Sequence, residues 1–294
     1  MIKKSLLIEN KTSITTKNLQ LIIKSEIRES SIPIEDIGCI VIDHPETFLS
    51  IPAMNLLIEN NTAIIICNNN HLPNGMFLNL NSHHIQQEIF KKQIQASTPI
   101  KKQLWQQTII EKITNQGILL EKITGNKNTF PFLASKVLSG DTTNMEGVAA
   151  NQYWKSFFEQ NFKRERFGDY PNNFLNYGYA ILRAATARAL SASGLLNTLG
   201  IHHKSKYNAF ALADDIMEPF RPIVDEKVFE LITKYHEQEL NTVIKAELLQ
   251  ILTRTVYFKD EKSPLMVALQ KTASSLQQCY TGERKKIKYP KLWN

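Results

Sequence analysis

The hydrophobic periodicity of the sequence changes once, near residue 82, and this change divides the chain into two parts. Before it, apolar residues occur in short β-branched runs such as IGCIVID and TAIIIC, separated by turn-forming residues. After it, apolar residues recur at helical intervals, as Ile85, Ile89 and Ile94 do in HHIQQEIFKKQIQAS. We therefore predict an α+β protein, with a small N-terminal β-sandwich-like domain at residues 1–82 and a larger all-α domain at residues 83–294.

Four local signals refine this division. PAMNLLIENN predicts one or two helical turns between strands, and Asn74-Gly75 is typical of a hairpin turn. In the helical part, a helix should end or kink at Pro99, and Pro219 removes a helical hydrogen bond and predicts a second kink.

Positive charge is concentrated in the second part of the chain. The net charge is +7, but residues 1–82 carry 6 basic and 8 acidic side chains, whereas residues 83–294 carry 29 basic and 20 acidic ones. The basic tail, residues 281–294, contains Arg284 and four lysines against the single acid Glu283. An acidic partner such as nucleic acid would meet this second part, although a solvated tail explains the same charges.

The cysteines and the hydropathy exclude several classes of protein. Cys39, Cys67 and Cys279 are odd in number and far apart, so they predict neither a disulfide framework nor a zinc ribbon. No apolar stretch approaches the roughly 18 residues of a membrane span. Glu9 interrupts the first apolar run before a signal-peptide core could form. We expect a reduced, cytoplasmic protein that makes no membrane contact.

Glu146, in SGDTTNMEGVAANQYW, is the first candidate metal ligand. Thr143 and Glu146 have the spacing of a capping box, in which both side chains satisfy free amides at a helix start. That interpretation needs no metal, and it is the commoner meaning of so short a motif. The residues themselves leave both interpretations open.

A histidine pair and an acidic cluster supply the other candidates. His202 and His203 follow a Gly-terminated helix, where imidazoles could bind a metal or simply be exposed. In LADDIMEPFRP, Asp215 and Glu218 lie about 60° apart on a helical wheel and could converge on one ion. They could equally form the solvated face of an amphipathic helix.

Carboxylates with one imidazole suit Mg²⁺ or Mn²⁺ better than a structural zinc ion, for which thiolates would be expected.

Basic residues near these acids could contact phosphates, or they could be ordinary surface charges. Lys163, Arg188 and Lys204 are among them. The candidates for DNA contacts are Arg164, Arg166, Arg183, Lys206 and Arg221.

These segments together resemble the Cas1 family of CRISPR-associated integrases, in the form found in type II systems. The resemblance runs from the β-rich start through SGDTTNMEGVAANQYW and PNNFLNYGYAILRAATARALSASGL to LGIHHKSKYNAFALADDIMEPFRPIVD. In that family, a glutamate, a histidine and an acidic residue at the corresponding places bind one divalent cation. The resemblance thus implies Glu146, His203 and Glu218 as catalytic metal ligands, with Asp215 as a direct or supporting partner.

The resemblance also implies a function and an assembly. It implies a metal-dependent DNA endonuclease and integrase, using Mg²⁺ or Mn²⁺, that inserts short double-stranded spacers into the CRISPR repeat array by 3′-hydroxyl attack on a phosphodiester. It further implies a homodimer with the β domains in contact, bridged by the small protein Cas2 into a heterohexamer, with other type II CRISPR proteins as further partners. Two alternatives are a metal-independent DNA-binding scaffold and a metal-dependent nuclease of branched DNA.

Overall fold

The computed structural model describes residues 3–158, 162–165, 168–235 and 239–294, and it has a strand-rich first part followed by a mainly helical one. The strands are β1 (Lys4–Ile8), β2 (Thr12–Lys17), β3 (Gln20–Ser25), β4 (Glu29–Pro33), β5 (Ile37–Ile42), β6 (Phe48–Leu49), β7 (Ala63–Cys67), β8 (Pro73–Phe77), β9 (Thr255–Phe258) and β10 (Glu261–Pro264). The helices are α1 (Ile51–Glu59), α2 (Gln86–Gln95), α3 (Thr98–Thr124), α4 (Phe130–Ser135), α5 (Met145–Phe157), α6 (Asn172–Ala192), α7 (Ala211–Met217), α8 (Arg221–Tyr235), α9 (Thr242–Leu249) and α10 (Leu265–Thr281).

Strands β1 to β8 form two sheets that pack face to face. One has the order β1-β5-β7-β8, with the first three strands parallel and β8 antiparallel, and the other has the order β4-β3-β2-β6. Ile14 and Leu21 of the second sheet share one apolar core with Ile40 and Ile64 of the first. The predicted two-layered β start and mainly helical remainder are confirmed, and α1 lies where PAMNLLIENN predicted a helix.

Strand β5 is buried on both faces and belongs to two cores. Ile40 and Ile42 pack between the sheets, whereas Cys39 and Val41 pack into the core of the helical part. Successive strand residues point to opposite faces, so a strand covered on both sides is apolar at every position. The β part and the helical part are therefore joined through a shared sheet, and the division at residue 82 remains a prediction.

The Asn74-Gly75 hairpin prediction is wrong. Both residues lie inside β8, and the turn before it is formed at Asn68–Leu72. The Asn68 side chain accepts hydrogen bonds from the amides of Asn70 and Leu72, and His71 adopts a left-handed φ of 59°. An asparagine side chain can thus organise a turn without the Asn-Gly pair.

The mainly helical second part also contains two short strands. β9 and β10 form an antiparallel hairpin within it. Val256 and Ser263 face each other in this hairpin and are buried. The run TVYF alternates at period two, but it is too short to stand out against the surrounding helical pattern.

The basic tail is packed against the helical part. The Tyr289 hydroxyl lies 2.9 Å from Thr108 Oγ1 on α3, and Leu292 is buried. Tyr257 of β9 exchanges two backbone hydrogen bonds of 2.8 Å with Lys291. The backbone of the tail is therefore fixed, while its five cations remain exposed. Among the residues that the structure describes, no helix is long and apolar enough to cross a membrane.

A buried ion cluster ties the sheet to helix α9. Lys245 Nζ lies 2.6 Å from Asp43 Oδ2 and 3.0 Å from Glu9 Oε1. The side chains of Lys245 and Asp43 are 6% and 1% exposed. Removing one partner of so deeply buried a pair leaves the other charge unpaired, which is strongly unfavourable.

We predict that Lys245→Met lowers the free energy of unfolding by about 3 kcal/mol, measured by urea denaturation. Lys11→Met is the control, because Lys11 pairs with Glu46 at 2.7 Å while both side chains are more than 60% exposed. That change should alter the free energy of unfolding by less than about 1 kcal/mol. Equal losses in the two variants would contradict the role of the buried cluster.

Candidate active site

The buried face of α3 carries polar residues in positions where a helix normally places apolar ones. Trp105, Thr108, Lys112, Asn115 and Leu119 follow helical spacing, and all are buried. Buried polar and charged groups need partners, because an unpaired one is strongly destabilising. This stripe therefore fixes the positions of the groups packed against α3.

Glu146 lies in the first turn of α5, but it does not cap that helix. The Asn144 side chain accepts from the Gly147 amide at 3.2 Å. The Asp141 carboxylate accepts the amides of the first two helical residues, at 2.8 and 3.0 Å. The prediction of a capping box at Thr143 and Glu146 is therefore wrong, because the side chains of Asp141 and Asn144 accept from the amides at the start of the helix. The Glu146 carboxylate is left free for another contact.

Glu146 and Glu218 meet at a single ammonium group. Lys112 Nζ lies 2.6 Å from Glu146 Oε1 and 2.6 Å from Glu218 Oε2, and Arg221 Nε lies 2.8 Å from Glu218 Oε1. Burial disfavours the ionised form of Glu218, but Arg221 and Lys112 outweigh it and lower its pKa to about 2. Burial likewise opposes the charge of Lys112, and the two glutamates still raise its pKa. We call these two glutamates the carboxylate pair.

The predicted kink at Pro219 brings Glu218 to α3. Helix α7 ends at Met217, a short 3₁₀ turn covers Glu218–Phe220, and α8 begins at Arg221. Asn115 donates a 2.8 Å hydrogen bond to the Pro219 carbonyl oxygen. The kink is confirmed, and a buried amide of α3 stabilises it.

Asp215 binds the histidine loop. Its Oδ2 accepts the amides of Ile201 at 2.6 Å and His202 at 2.9 Å, and its Oδ1 lies 2.5 Å from His203 Nδ1. This hydrogen bond is the main cause of the raised pKa of His203. A Cβ at Gly200 would lie only 2.8 Å from Asp215 Oδ2, so the loop requires glycine there.

The predicted ligands are thus divided between two neighbouring groups. Glu146 and Glu218 converge, whereas His203 is oriented by Asp215 and lies edge-on to Trp105, with a ring-centroid distance of 6.0 Å. Within the described ranges, no three His, Cys, Asp or Glu side chains stand close enough together to hold a metal ion. The Nδ1 atom of His203 is engaged, so Nε2 is the nitrogen available to a ligand.

Two of the predicted DNA contacts, Arg164 and Arg221, flank one tyrosine. The guanidinium carbons of Arg164 and Arg221 lie 5.2 and 4.4 Å from the ring centroid of Tyr179. Arg164 also donates to Asn172 and Asn176, at 2.9 and 2.6 Å. Both guanidinium groups are therefore held in fixed orientations beside the carboxylate pair.

The other predicted DNA contacts have different surroundings. Arg183 Nε lies 2.6 Å from Asp214 Oδ1, and Lys206 is exposed. Arg166 lies outside the described residues. Arg188 is buried and donates to the carbonyl oxygen of Asn61, so the structure removes it from the candidates for phosphate contacts.

A basic cavity opens beside His203. Its volume is about 580 Å³, and Lys101, Lys204, Lys206 and Tyr207 line it together with the histidine. The three lysines are side chains that could meet a phosphate backbone.

Sequence reasoning missed Lys112 and the buried acid Asp225. Asp225 accepts hydrogen bonds from the hydroxyls of Tyr153, at 2.8 Å, and Tyr179. Burial is the main cause that raises its pKa to about 6. Lys112 lies about two helical turns after Trp105 on the same face of the helix, and a lysine on an otherwise apolar face could have identified it from the sequence.

We predict that Asp215→Asn lowers the pKa of His203, because it removes the carboxylate that stabilises the imidazolium form. Titration of the histidine by NMR would measure this change. Asp214→Asn is the matched control, since Asp214 is engaged by Arg183 and Asn208. Its effect on the pKa of His203 should be smaller. An equal decrease in both variants would contradict the positioning role of Asp215.

Comparisons with known proteins relate the chain to others of this architecture. The family model for "CRISPR associated protein Cas1" matches residues 6–258. The CRISPR-associated endonuclease Cas1 of Neisseria meningitidis serogroup C (strain 8013) is 36% identical over 293 residues, covering 98% of this chain and 96% of that protein. The CRISPR-associated endonuclease Cas1 1 of Francisella tularensis subsp. novicida (strain U112) is 28% identical over 167 residues, or 52% of each chain.

Solved structures have the same fold. A casposase bound to its integration product gives a TM-score of 0.79 at 22% identity, covering 97% of this chain and 92% of that one. A Cas1 protein from Thermotoga maritima gives a TM-score of 0.77 at 18% identity, covering 95% of this chain and 97% of that one. A Cas6-RT-Cas1–Cas2 complex gives a TM-score of 0.74 at 21% identity, covering 99% of this chain and 36% of that one. The family match and the nearly full-length relative together establish that this chain belongs to the Cas1 family of CRISPR-associated proteins.

Proposed function

We propose that this chain is a metal-dependent DNA integrase with endonuclease-type chemistry. Each 3′-hydroxyl of a short DNA duplex would attack a phosphodiester of a CRISPR repeat, forming a new phosphodiester bond while the attacked P–O bond breaks and releases a 3′-hydroxyl of the repeat strand. The observation that carries this proposal is the convergence of Glu146 and Glu218 on one positive charge, inside the fold of a Cas1-family protein. The relatives named as endonucleases and the fold neighbour bound to an integration product support the same reaction class.

The carboxylate pair offers Mg²⁺ or Mn²⁺ two oxygen ligands that already converge on one positive charge. Both carboxylate oxygens lie 2.6 Å from one nitrogen, and they are therefore no more than twice that distance apart. Oxygen ligands of Mg²⁺ stand at roughly 2.0–2.1 Å from the ion, so two of them are at most about 4.2 Å apart. His203 would supply Nε2 as the third ligand. The bound cation would lower the pKa of a 3′-hydroxyl and offset charge on the attacked phosphate.

We assign the surrounding residues supporting roles in this reaction. Asp215 fixes the ring of His203 by its hydrogen bond to Nδ1, as carboxylates commonly do behind metal-binding histidines. Arg164 and Arg221, held beside Tyr179, would orient the phosphates next to the carboxylate pair. The cavity lined by Lys204 and Lys206 would bind the DNA backbone.

We also propose the assembly that the family relationship favours. The chain would form a homodimer through its β part and join Cas2 in a heterohexamer that holds double-stranded DNA in the cytoplasm. Other proteins of a type II system would be further partners. Three exposed apolar side chains of the β part, 60–95% accessible, are candidates for this contact: Ile27, Phe48 and Ile51. Solved neighbours that contain both Cas1 and Cas2 favour the second contact.

Replacing Glu146 or Glu218 with alanine should reduce strand joining at least about 100-fold, because the charge developing on the phosphate loses its stabilisation. The assay is the joining of a short duplex to a supercoiled plasmid that carries a repeat, with Mg²⁺ or Mn²⁺ present. Glu121→Ala, an exposed acid on the same helix as Lys112, is the control and should retain wild-type rates.

The products of this assay also separate the proposal from its alternatives. Cleaved ends without joined ends would indicate a nuclease of branched DNA. Duplex binding without any metal-dependent product would indicate a scaffold. Wild-type joining by Glu146→Ala would contradict the assigned site.

Lys204→Ala combined with Lys206→Ala should weaken duplex binding and reduce the salt dependence of the binding constant. Two lost phosphate contacts should make the logarithmic slope shallower by about 2. Fluorescence anisotropy at several salt concentrations measures both quantities. Lys17→Ala with Lys24→Ala removes two exposed cations from the β part and should leave the slope unchanged. Equal changes in the two double variants would argue against the cavity as the DNA site.

A further inference from the structure

We propose that Lys112 is a built-in counter-cation whose ammonium group holds the carboxylate pair together without metal and is displaced when a divalent cation binds. The inference rests on the proposed metal site and adds to it a residue that controls metal affinity. Its basis is the contact of one Lys112 Nζ with both glutamates, at 2.6 Å each. The ammonium group occupies the place where the two carboxylates converge.

The environment of Lys112 distinguishes it from an ordinary surface lysine. Its side chain is 10% exposed, and it shares the buried stripe of α3 with Trp105 and Asn115. A buried ammonium group is stable only when it is closely paired. Without Lys112, the Glu146 carboxylate would lose its partner and would repel Glu218 at this distance. Lys112 therefore keeps Glu146 and Glu218 close together before any metal arrives.

The charges of the cluster oppose the binding of a divalent cation as long as both positive side chains stay in place. Glu146 and Glu218 carry two negative charges, and Lys112 and Arg221 carry two positive ones, so the cluster is neutral as it stands. A divalent cation added to this arrangement would meet a positive charge at close range in a buried site, where repulsion is strong. Metal binding is therefore favourable only if one of the two positive charges leaves.

Lys112 is the cation that can leave. Arg221 contacts Oε1 of Glu218, whereas Lys112 contacts Oε2. The guanidinium group of Arg221 also lies against the Tyr179 ring, which fixes its orientation. Lys112 has a flexible four-carbon stem, and it borders a cavity of about 210 Å³. Asp225 lines the same cavity, so a displaced ammonium group would find a carboxyl group there. The cavity gives the displaced side chain room without unfolding α3.

The first test compares Mn²⁺ binding to the full chain by isothermal titration calorimetry, without DNA. Lys112→Met removes the competing charge and keeps the length of the side chain, so it should bind Mn²⁺ at least about 10-fold more tightly than the wild type. Lys122→Met is the matched control, because Lys122 is on the same helix and pairs with the buried acid Glu226. That variant should bind Mn²⁺ as the wild type does, and Glu146→Gln should lose binding.

The variants separate failure of the inference from failure of the site. If Glu146→Gln loses binding but Lys112→Met binds no more tightly than the wild type, Lys112 is a structural ion pair and the inference is wrong, while the metal site stands. If Glu146→Gln binds Mn²⁺ as the wild type does, the metal is bound elsewhere, and both the site and the inference are overturned.

A second test uses the wild-type chain and does not depend on the folding of a variant. Amine acetylation followed by mass spectrometry gives the labelling rate of each lysine with and without Mn²⁺. Release from the carboxylate pair should raise the labelling rate of Lys112 several-fold on Mn²⁺ addition, with Lys122 unchanged as the internal reference. An unchanged rate at Lys112 under saturating Mn²⁺ would overturn the inference.

Discussion

The architecture of the helical part depends on the pairing of charge inside its core. A lysine on the buried stripe of α3 is stable only beside carboxylates, and Lys112 is paired with two of them. One glutamate arrives from the start of α5 and the other from the kink between α7 and α8. The packing of three segments is therefore coupled to one ammonium group. The same coupling places the two acids where the proposed chemistry needs them.

The adjacent acids of LADDIMEP illustrate how local geometry separates functions. Asp214, Asp215 and Glu218 lie within about one helical turn, yet each has a different partner. Asp214 pairs with Arg183, Asp215 with the histidine loop, and Glu218 with Lys112 and Arg221. The wheel angle between Asp215 and Glu218 allowed them to converge on one ion. Asp215 instead accepts hydrogen bonds from the backbone amides of residues 201 and 202.

The sequence predicted those features that depend on periodicity and on chain-breaking residues. The change from strands to helices, the helix α1 and the kink at Pro219 all follow from local patterns. The turn at Asn68–Leu72 and the helix cap at Asn144 could not be predicted in this way. Several polar side chains near each of them could accept from the same backbone amides, and the spacing of residues does not show which one does. Lys112 was missed because its partners are 34 and 106 positions away in the chain, and only the fold brings them together.

The sheet that the two parts share also limits how members of this family can exchange segments. From Cys39 to Ile42, residues of β5 that contact the helical core alternate with residues that pack against the other sheet. A β part taken from a relative would bring its own version of the face formed by Cys39 and Val41. That face must match the side chains of the helical core in volume, because close-packed interiors tolerate few voids. Recombination between relatives should therefore succeed only where the face of β5 formed by Cys39 and Val41 is inherited together with the helical core that it contacts.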